Sequence, residues 1–279
     1  MNKNSLYLIL CTALLCGATA RAAVLFDENF DGSPYSDNTA FNDPTNPVTG
    51  VNKLAHGYWS LNNLGTAVVS ASTATSLSSN RSMSLTVLAN GDRAQAIGLL
   101  GATGAAGTPT TQELVVKFSF NMMDASQLTS FLVRGSNDFN LGNITLGGGV
   151  IRATFNGVAT TISTVSANTW YNVEMTLSAN PGSGSNTYSV KLFNDDFSMQ
   201  LGSTASGAFA QSTTSTSYRY FTAYNQGYAG QSSAYSTYFD NISVNTVPEP
   251  GIVALLTVGM LGFIVLRRFR GRAIQSPNL

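Results

Sequence analysis

The sequence predicts an all-β chain, an antiparallel sandwich of many short strands. Three observations carry this. Apolar residues recur at every second position in several runs, clusters of Gly, Asn and Pro separate the runs, and no long amphipathic helix precedes the C-terminal tail.

The runs are explicit. Leu114, Val116, Phe118 and Phe120 alternate with Val115, Lys117 and Ser119. Tyr171, Val173, Met175 and Leu177 alternate with Asn172, Glu174 and Thr176. Tyr188, Val190 and Leu192 form a third set, and Met83, Leu85 and Val87 a fourth. Successive side chains on a strand point to opposite faces, so each run buries one face. Breakers lie between them at Asn90-Gly91-Asp92, 104–109, Gly147-Gly148-Gly149, Asn156-Gly157 and 180–184. Asn156-Gly157, between apolar runs at 151–155 and 158–162, predicts a two-residue hairpin, because a type I′ turn needs positive φ at both centres. No fixed-period repeat points to a propeller or solenoid.

Both ends carry targeting features. Lys3, the apolar stretch Leu6–Leu15 and Ala20-Arg21-Ala22 read as a secretory signal peptide over 1–23, cut after Ala22 or Ala23. Leu15, just before Cys16, fits a lipoprotein signal poorly. Cys11 and Cys16 are the chain's two cysteines, and both leave with that peptide. The mature protein then has no disulfide, thiolate metal site or cysteine nucleophile. At the other end stand Pro248-Glu249-Pro250, the uncharged segment Gly251–Leu266, and Arg267, Arg268, Arg270 and Arg272. Those 16 apolar residues make a helix of about 24 Å, short for a bilayer core of about 30 Å unless the arginines snorkel. The positive-inside rule keeps the arginines and the short tail 273–279 cytoplasmic and places the rest outside. This tail resembles the PEP-CTERM sorting signal of Gram-negative bacteria through Pro248, Glu249, Pro250, the apolar helix and the basic end with Arg267 and Arg268. The resemblance implies handling by an exosortase-type membrane transpeptidase. It also implies transient inner-membrane anchoring, then release to the envelope, outer surface or extracellular polysaccharide matrix.

Residues 24–246 suit one all-β domain in length. They hold eight basic and thirteen acidic residues, a net charge of −5. That balance disfavours nucleic acid and acidic polymers as electrostatic partners. The domain begins Val24-Leu25-Phe26-Asp27-Glu28-Asn29-Phe30-Asp31-Gly32 and ends Tyr238-Phe239-Asp240-Asn241-Ile242-Ser243-Val244, with Trp170–Met175 and Thr187–Leu192 between. It resembles the concanavalin A-like jelly roll of laminin-G, lectin and glucanase domains; galactose-binding-like jelly rolls are the second match. The resemblance implies that first and last strands pair and that the Trp170 strand forms a hairpin with its successor. Related jelly rolls hold a structural calcium where the terminal strands meet, and Asp27, Glu28, Asp31 and Asp240 are the oxygen donors that would serve.

Candidate chemistry is sparse. A glycosidase needs two carboxylates about 5–10 Å apart, and no acid-x-acid spacing occurs on a predicted strand. Asp195 and Asp196 are adjacent and read as a turn, and Glu174 is a lone acid on a polar strand face. His56 is the only histidine, which leaves no Ser-His-Asp triad or two-histidine zinc site to build. Tyrosines crowd 218–238, and Tyr218, Tyr220, Tyr224 and Tyr228 are the glycan-stacking candidates, with Tyr218 and Tyr220 assigned to one strand face. The expectation is a non-catalytic polysaccharide-binding or structural module of the cell surface. A glycan-active hydrolase or lyase of the same fold is the alternative.

Overall fold

The computed structural model describes residues 22–30, 53–54, 57–61, 65–77, 81–100, 110–182, 186–211, 215–228, 231 and 233–247. Residues 1–21 of the predicted signal peptide, Asp31, His56, the sorting residues Pro248, Glu249, Pro250, Arg267 and Arg268, and the predicted helix 251–266 lie outside them. Ala23–Thr246 forms one compact unit.

Sixteen strands occur among the described residues. They are β1 Val24–Glu28, β2 Lys53–Leu54, β3 Gly57–Leu61, β4 Val68–Ser72, β5 Ser82–Val87, β6 Arg93–Leu99, β7 Leu114–Met122 and β8 Leu128–Gly135. Then follow β9 Asn140–Gly147, β10 Val150–Phe155, β11 Val158–Thr164, β12 Trp170–Leu177, β13 Thr187–Phe193, β14 Gln200–Ala208, β15 Tyr218–Gln226 and β16 Tyr235–Thr246. They build two antiparallel sheets. Sheet A runs β14-β13-β12-β7-β16-β5-β4, with β1 also on β16; sheet B runs β11-β10-β9-β8-β15-β6-β3-β2. Among the described residues the chain is all-β, as its alternation predicts, and jelly-roll-like, as the resemblance implies. β12 pairs with β13, and Asn156 and Gly157 take φ of 47° and 77° in the β10–β11 turn, the pattern predicted for a type I′ hairpin.

The longest strand, β16, organises sheet A. One edge lies along β7; the other pairs with β5 over Tyr235–Phe239 and then with β1 over Ile242–Asn245. A bulge between Asp240 and Ser243, with Asn241 at φ 49°, separates the two pairings. Ala23 N donates to Thr246 Oγ1 at 2.9 Å, and Thr246 N donates to the Ala23 carbonyl at 2.9 Å. The two ends of the domain are therefore clasped together. β16 runs two residues beyond the predicted end at Val244, so only Val247 separates it from Pro248.

The core fills the space between the sheets. Phe118 of sheet A stacks on Phe131 of sheet B at 4.0 Å, and Phe131 stacks on Phe221 at 5.1 Å. Phe26 meets Phe221 edge-on at 4.8 Å. All four rings are fully buried. A polar bridge crosses the same interior. Asn225 of β15 accepts from the Thr129 hydroxyl and donates to the Leu85 carbonyl on sheet A, and Thr129 also meets Thr237 at 2.7 Å. Every partner is buried, so the bridge satisfies groups that would otherwise be costly there.

Gly98 lies under Phe221, where a Cβ would stand 2.1–2.8 Å from ring carbons. The ring is pinned by its stack and has no room to yield. Gly98→Ala is expected to destabilise the domain by about 1–3 kcal/mol, as overpacking does. Urea melts of the two proteins would measure it, and an unchanged midpoint would mean that the stack is looser than its geometry.

Candidate functional site

Alternation along four neighbouring strands of sheet B sends one set of side chains into the core and the other outward. Ala94 and Ala96, Phe131 and Val133, Ile144 and Leu146, and Phe221 and Ala223 are buried core residues. Their neighbours in sequence, Arg93, Gln95, Ser130, Leu132, Arg134, Asn143, Thr145, Tyr224 and Gln226, line a groove of about 200 Å³ on the outer face, together with Asn140. The rows follow from register. Gln95 pairs with Tyr224, Tyr224 with Ser130, and Ser130 with Thr145.

Two bulges shape the groove at Arg134. On β15, Tyr218 pairs with Gly135 and Tyr220 with Arg134, so Arg219 is an extra residue. On β9, Gly142 pairs with Val133 and Asn140 with Arg134, so Leu141 is extra. An extra residue reverses which face the following side chains occupy. Leu141 consequently enters the core, and Asn140 stands in the groove opposite Arg134. The β15 bulge also overturns the single-face assignment of the tyrosines. Tyr218 is fully buried, its hydroxyl donates to the Ser178 carbonyl, and burial pushes its pKa up. Tyr220 emerges on the other face, with Arg134 at 5.9 Å from its ring centroid. Its hydroxyl donates to Asp138 Oδ1 at 2.6 Å; burial first, then this bond, raises its pKa.

Of the four predicted glycan-stacking residues, only Tyr224 lines the groove, with Tyr220 beside it against Arg134. Tyr218 belongs to the core. Tyr228 is exposed beyond the strand end, where its hydroxyl accepts from Gln127 Nε2 at 3.1 Å.

Three residues lining the groove hold buried polar atoms without a hydrogen-bond partner in the protein: Arg93 Nε, Arg134 Nε and Asn140 Oδ1. Thr222 Oγ1, outside the lining, is another such atom. Thr222 sits on the same outward parity of β15, between Tyr220 and Tyr224. Buried polar atoms are nearly always paired, so this concentration marks a surface suited to a polar ligand. Among the described residues, no Asp, Glu or His lines the groove. The eight strands of sheet B contain Lys53, Arg93, Arg134, Arg152 and Arg219, and no acid at all. The domain's net negative charge thus says little about its groove: the acids lie in sheet A and in the connections. Sequence reasoning missed Arg93, Gln95, Arg134, Asn140 and Asn143 because it treated charge as one domain-wide sum. Sorting charges by strand would have found them only with the strand order known.

The other predicted residues fall elsewhere. Glu174 lies on the outer face of sheet A between Lys117 and Lys191, at 3.1 and 2.9 Å. Burial raises its pKa, but the two lysines outweigh that and hold the carboxyl below its ordinary value. It stays ionised, which does not suit a general acid. Asp195 lies in the turn after β13, and its carbonyl accepts from Asn172 Nδ2 at 2.8 Å. Of the calcium set, Asp27 is exposed and Glu28 is buried, on opposite faces of β1. Glu28 Oε1 accepts from Phe30 N at 2.7 Å, and Asp240 accepts from Asn241 N at 2.8 Å and Leu77 N at 3.2 Å. Among the described residues, no three His, Cys, Asp or Glu converge. Glu28 and Asp240, the buried acids of the set, accept backbone N–H groups where β16 changes partner.

Three turn aspartates have lowered pKa values. The main cause is a hydroxyl donor in each: Thr66 for Asp92, Ser126 for Asp124, and Ser198 for Asp196. Asp92 matters most to the groove because it fixes the turn before Arg93. It accepts from Thr66 Oγ1 at 2.7 Å, Ala89 N at 3.0 Å and Leu88 N at 3.3 Å. A depressed folded-state pKa gives stability that is present above the ordinary value of 3.8 and lost as pH falls through the folded value. Melting temperature should therefore fall steeply below about pH 4. Asp92→Asn is expected to lower stability at neutral pH and to flatten that acid limb; an unaltered limb would remove Asp92 from the account.

Solved structures similar to the chain share little sequence with it. A sialidase matches at 12% identity with a TM-score of 0.50, over 68% of this chain but 17% of its own. The catalytic domain of a GH131 beta-glucanase from Podospora anserina matches at 13% identity and a TM-score of 0.45, over 67% of this chain and 82% of its own. Arcelin-5, a lectin-like defence protein from Phaseolus vulgaris, matches at 11% identity and 0.47, over 82% and 99%. No curated protein sequence matches the chain. Residues 246–270 match the model of the PEP-CTERM protein-sorting motif. The chain therefore carries, directly behind a jelly-roll-like β domain, a PEP-CTERM sorting signal, which implies export and exosortase processing.

Proposed function

We propose that this protein is a cell-surface or extracellular-matrix component whose domain binds polysaccharide in the sheet B groove and does not turn it over. The observation that carries this is that three residues lining the groove, Arg93, Arg134 and Asn140, hold buried polar atoms without a hydrogen-bond partner in the protein. A polysaccharide offers a dense row of hydroxyls, each both donor and acceptor, and would satisfy such atoms along a strand-lined surface. Tyr224 adds an aromatic ring beside them, a surface on which a sugar ring can lie. The non-catalytic reading rests on the chemistry of the lining. It holds arginines, amides, hydroxyls and one apolar residue, where a glycosidase would place two carboxylates.

A glycan-active enzyme is the second reading, and one observation favours it. Tyr224 shares the groove with two guanidinium groups, a set able to move a proton beside a charged sugar. Product analysis after long incubation separates the readings: chain shortening that Tyr224→Phe abolishes would establish the enzyme.

Binding of the purified full chain to a panel of immobilised polysaccharides tests the main proposal. Tyr224→Ala is expected to reduce affinity at least tenfold, and Tyr228→Ala to leave it unchanged. A protein that binds no member of the panel would refute it. For the tail, replacing Pro248, Glu249 and Pro250 by alanine is expected to leave a larger, unprocessed form in the membrane fraction. Normal processing of that variant would show that cleavage ignores the motif.

A further inference from the structure

We infer that the polysaccharide is anionic, and that Arg134 together with Arg93 recognises its acidic groups; the inference rests on the groove being a polysaccharide site. Three observations converge on Arg134. The extra residues of β9 and β15 both fall opposite it, so two strands are locally reshaped around one guanidinium. Its Nε is buried without a partner, as is that of Arg93. An Nε–H and its neighbouring Nη–H form the edge that grips two oxygens of a carboxylate or sulfate side by side.

Charge points the same way. Among the described residues no carboxylate lines the groove, and the eight strands of sheet B hold no Asp or Glu. The closest acid connected to Arg134 is Asp138, reached through the Tyr220 hydroxyl. Arg152 extends the basic face by one strand. It pairs with Thr145, and its Nη1 donates to the Gly147 carbonyl at 3.1 Å. A partly buried guanidinium without a counter-ion is costly, and a ligand anion would supply the missing partner. The two arginines lie at opposite ends of the groove. Arg93 pairs with Gln226, and Arg134 with Tyr220, six residues apart on β15. That is roughly 20 Å along the strand. An extended polymer that presents acidic groups repeatedly can meet both along such a stretch of strand. Gln95, Asn143 and Thr145 lie between them for sugar hydroxyls, and Asn140 stands opposite Arg134.

The test uses the full chain in detergent and four polymers: polygalacturonate, the same polymer with its carboxyls reduced to alcohols, dextran sulfate, and neutral dextran. Binding to an acidic polymer is expected to weaken steeply with salt. It should fall at least tenfold in Arg134→Ala and in Arg93→Ala, with Arg134→Lys intermediate because a point charge replaces the fork. Melting curves of the variants would confirm that they fold. Preference for polygalacturonate assigns a carboxylate ligand, and preference for dextran sulfate assigns a sulfate. Equal binding to the carboxyl-reduced polymer, or binding that ignores both arginine variants, would overturn the anion inference and leave the polysaccharide reading intact. Binding to none of the four, nor to any polysaccharide of the wider panel, would overturn both.

Discussion

The contact on which the architecture depends is the phenylalanine stack between the sheets. Phe118 brings sheet A to Phe131, and Phe131 and Phe221 belong to the two strands at the centre of the groove. Stacked or edge-to-face rings contribute about 0.5–1.5 kcal/mol per pair beyond the area they bury. Their larger role is geometric. Each inward ring sits between two outward residues: Phe131 between Ser130 and Leu132, Phe221 between Tyr220 and Thr222. Fixing the rings fixes the pleat, and the pleat aims the groove side chains. Gly98 belongs to the same device, since only a residue without a Cβ leaves Phe221 its place. The Asn225 bridge adds direction that apolar packing lacks, because its hydrogen bonds tie β15 to sheet A between Tyr224 and Gln226.

The groove combines features that a purely structural face would not need. An outer strand face can be finished cheaply with Thr, Ser and paired charges, and sheet A does this with Lys117, Glu174 and Lys191 in one cross-strand row. Sheet B instead keeps arginines apart from all acids on its strands and leaves buried polar atoms unsatisfied. Binding sites commonly hold such costs, since a ligand can offset them. Both bulges beside Arg134 belong to the same pattern, because a bulge re-aims a side chain at the expense of regular pairing.

Export and architecture meet at β16. Its end is clasped to Ala23, so the first and last strands of the domain are tied together. One residue, Val247, lies between the strand and Pro248. The sorting segment is an address attached directly to a folded sandwich. The buried carboxylates of Glu28 and Asp240 hold this junction through backbone N–H groups, which is how β16 passes from β5 to β1 without leaving polar backbone bare.

By itself the sequence determined the strands, because alternation and turn chemistry are local. Leu114–Phe120, Trp170–Leu177 and the Asn156-Gly157 hairpin are visible in a few consecutive residues, as is the sorting motif, whereas the pairing of first and last strands came from the jelly-roll resemblance. The groove was not legible there. Its residues come from 93–95, 130–134, 140–145 and 224–226, and they become neighbours only through the order β9-β8-β15-β6. The face assigned to Tyr218 failed for a related reason. A single extra residue on β15 inverts the parity, and a bulge is set by pairing with a distant strand rather than by the residues that form it. Charge followed the same rule. Composition determines the sum, −5 for the domain, whereas the strand order decides that the arginines of sheet B share a face from which the acids are missing.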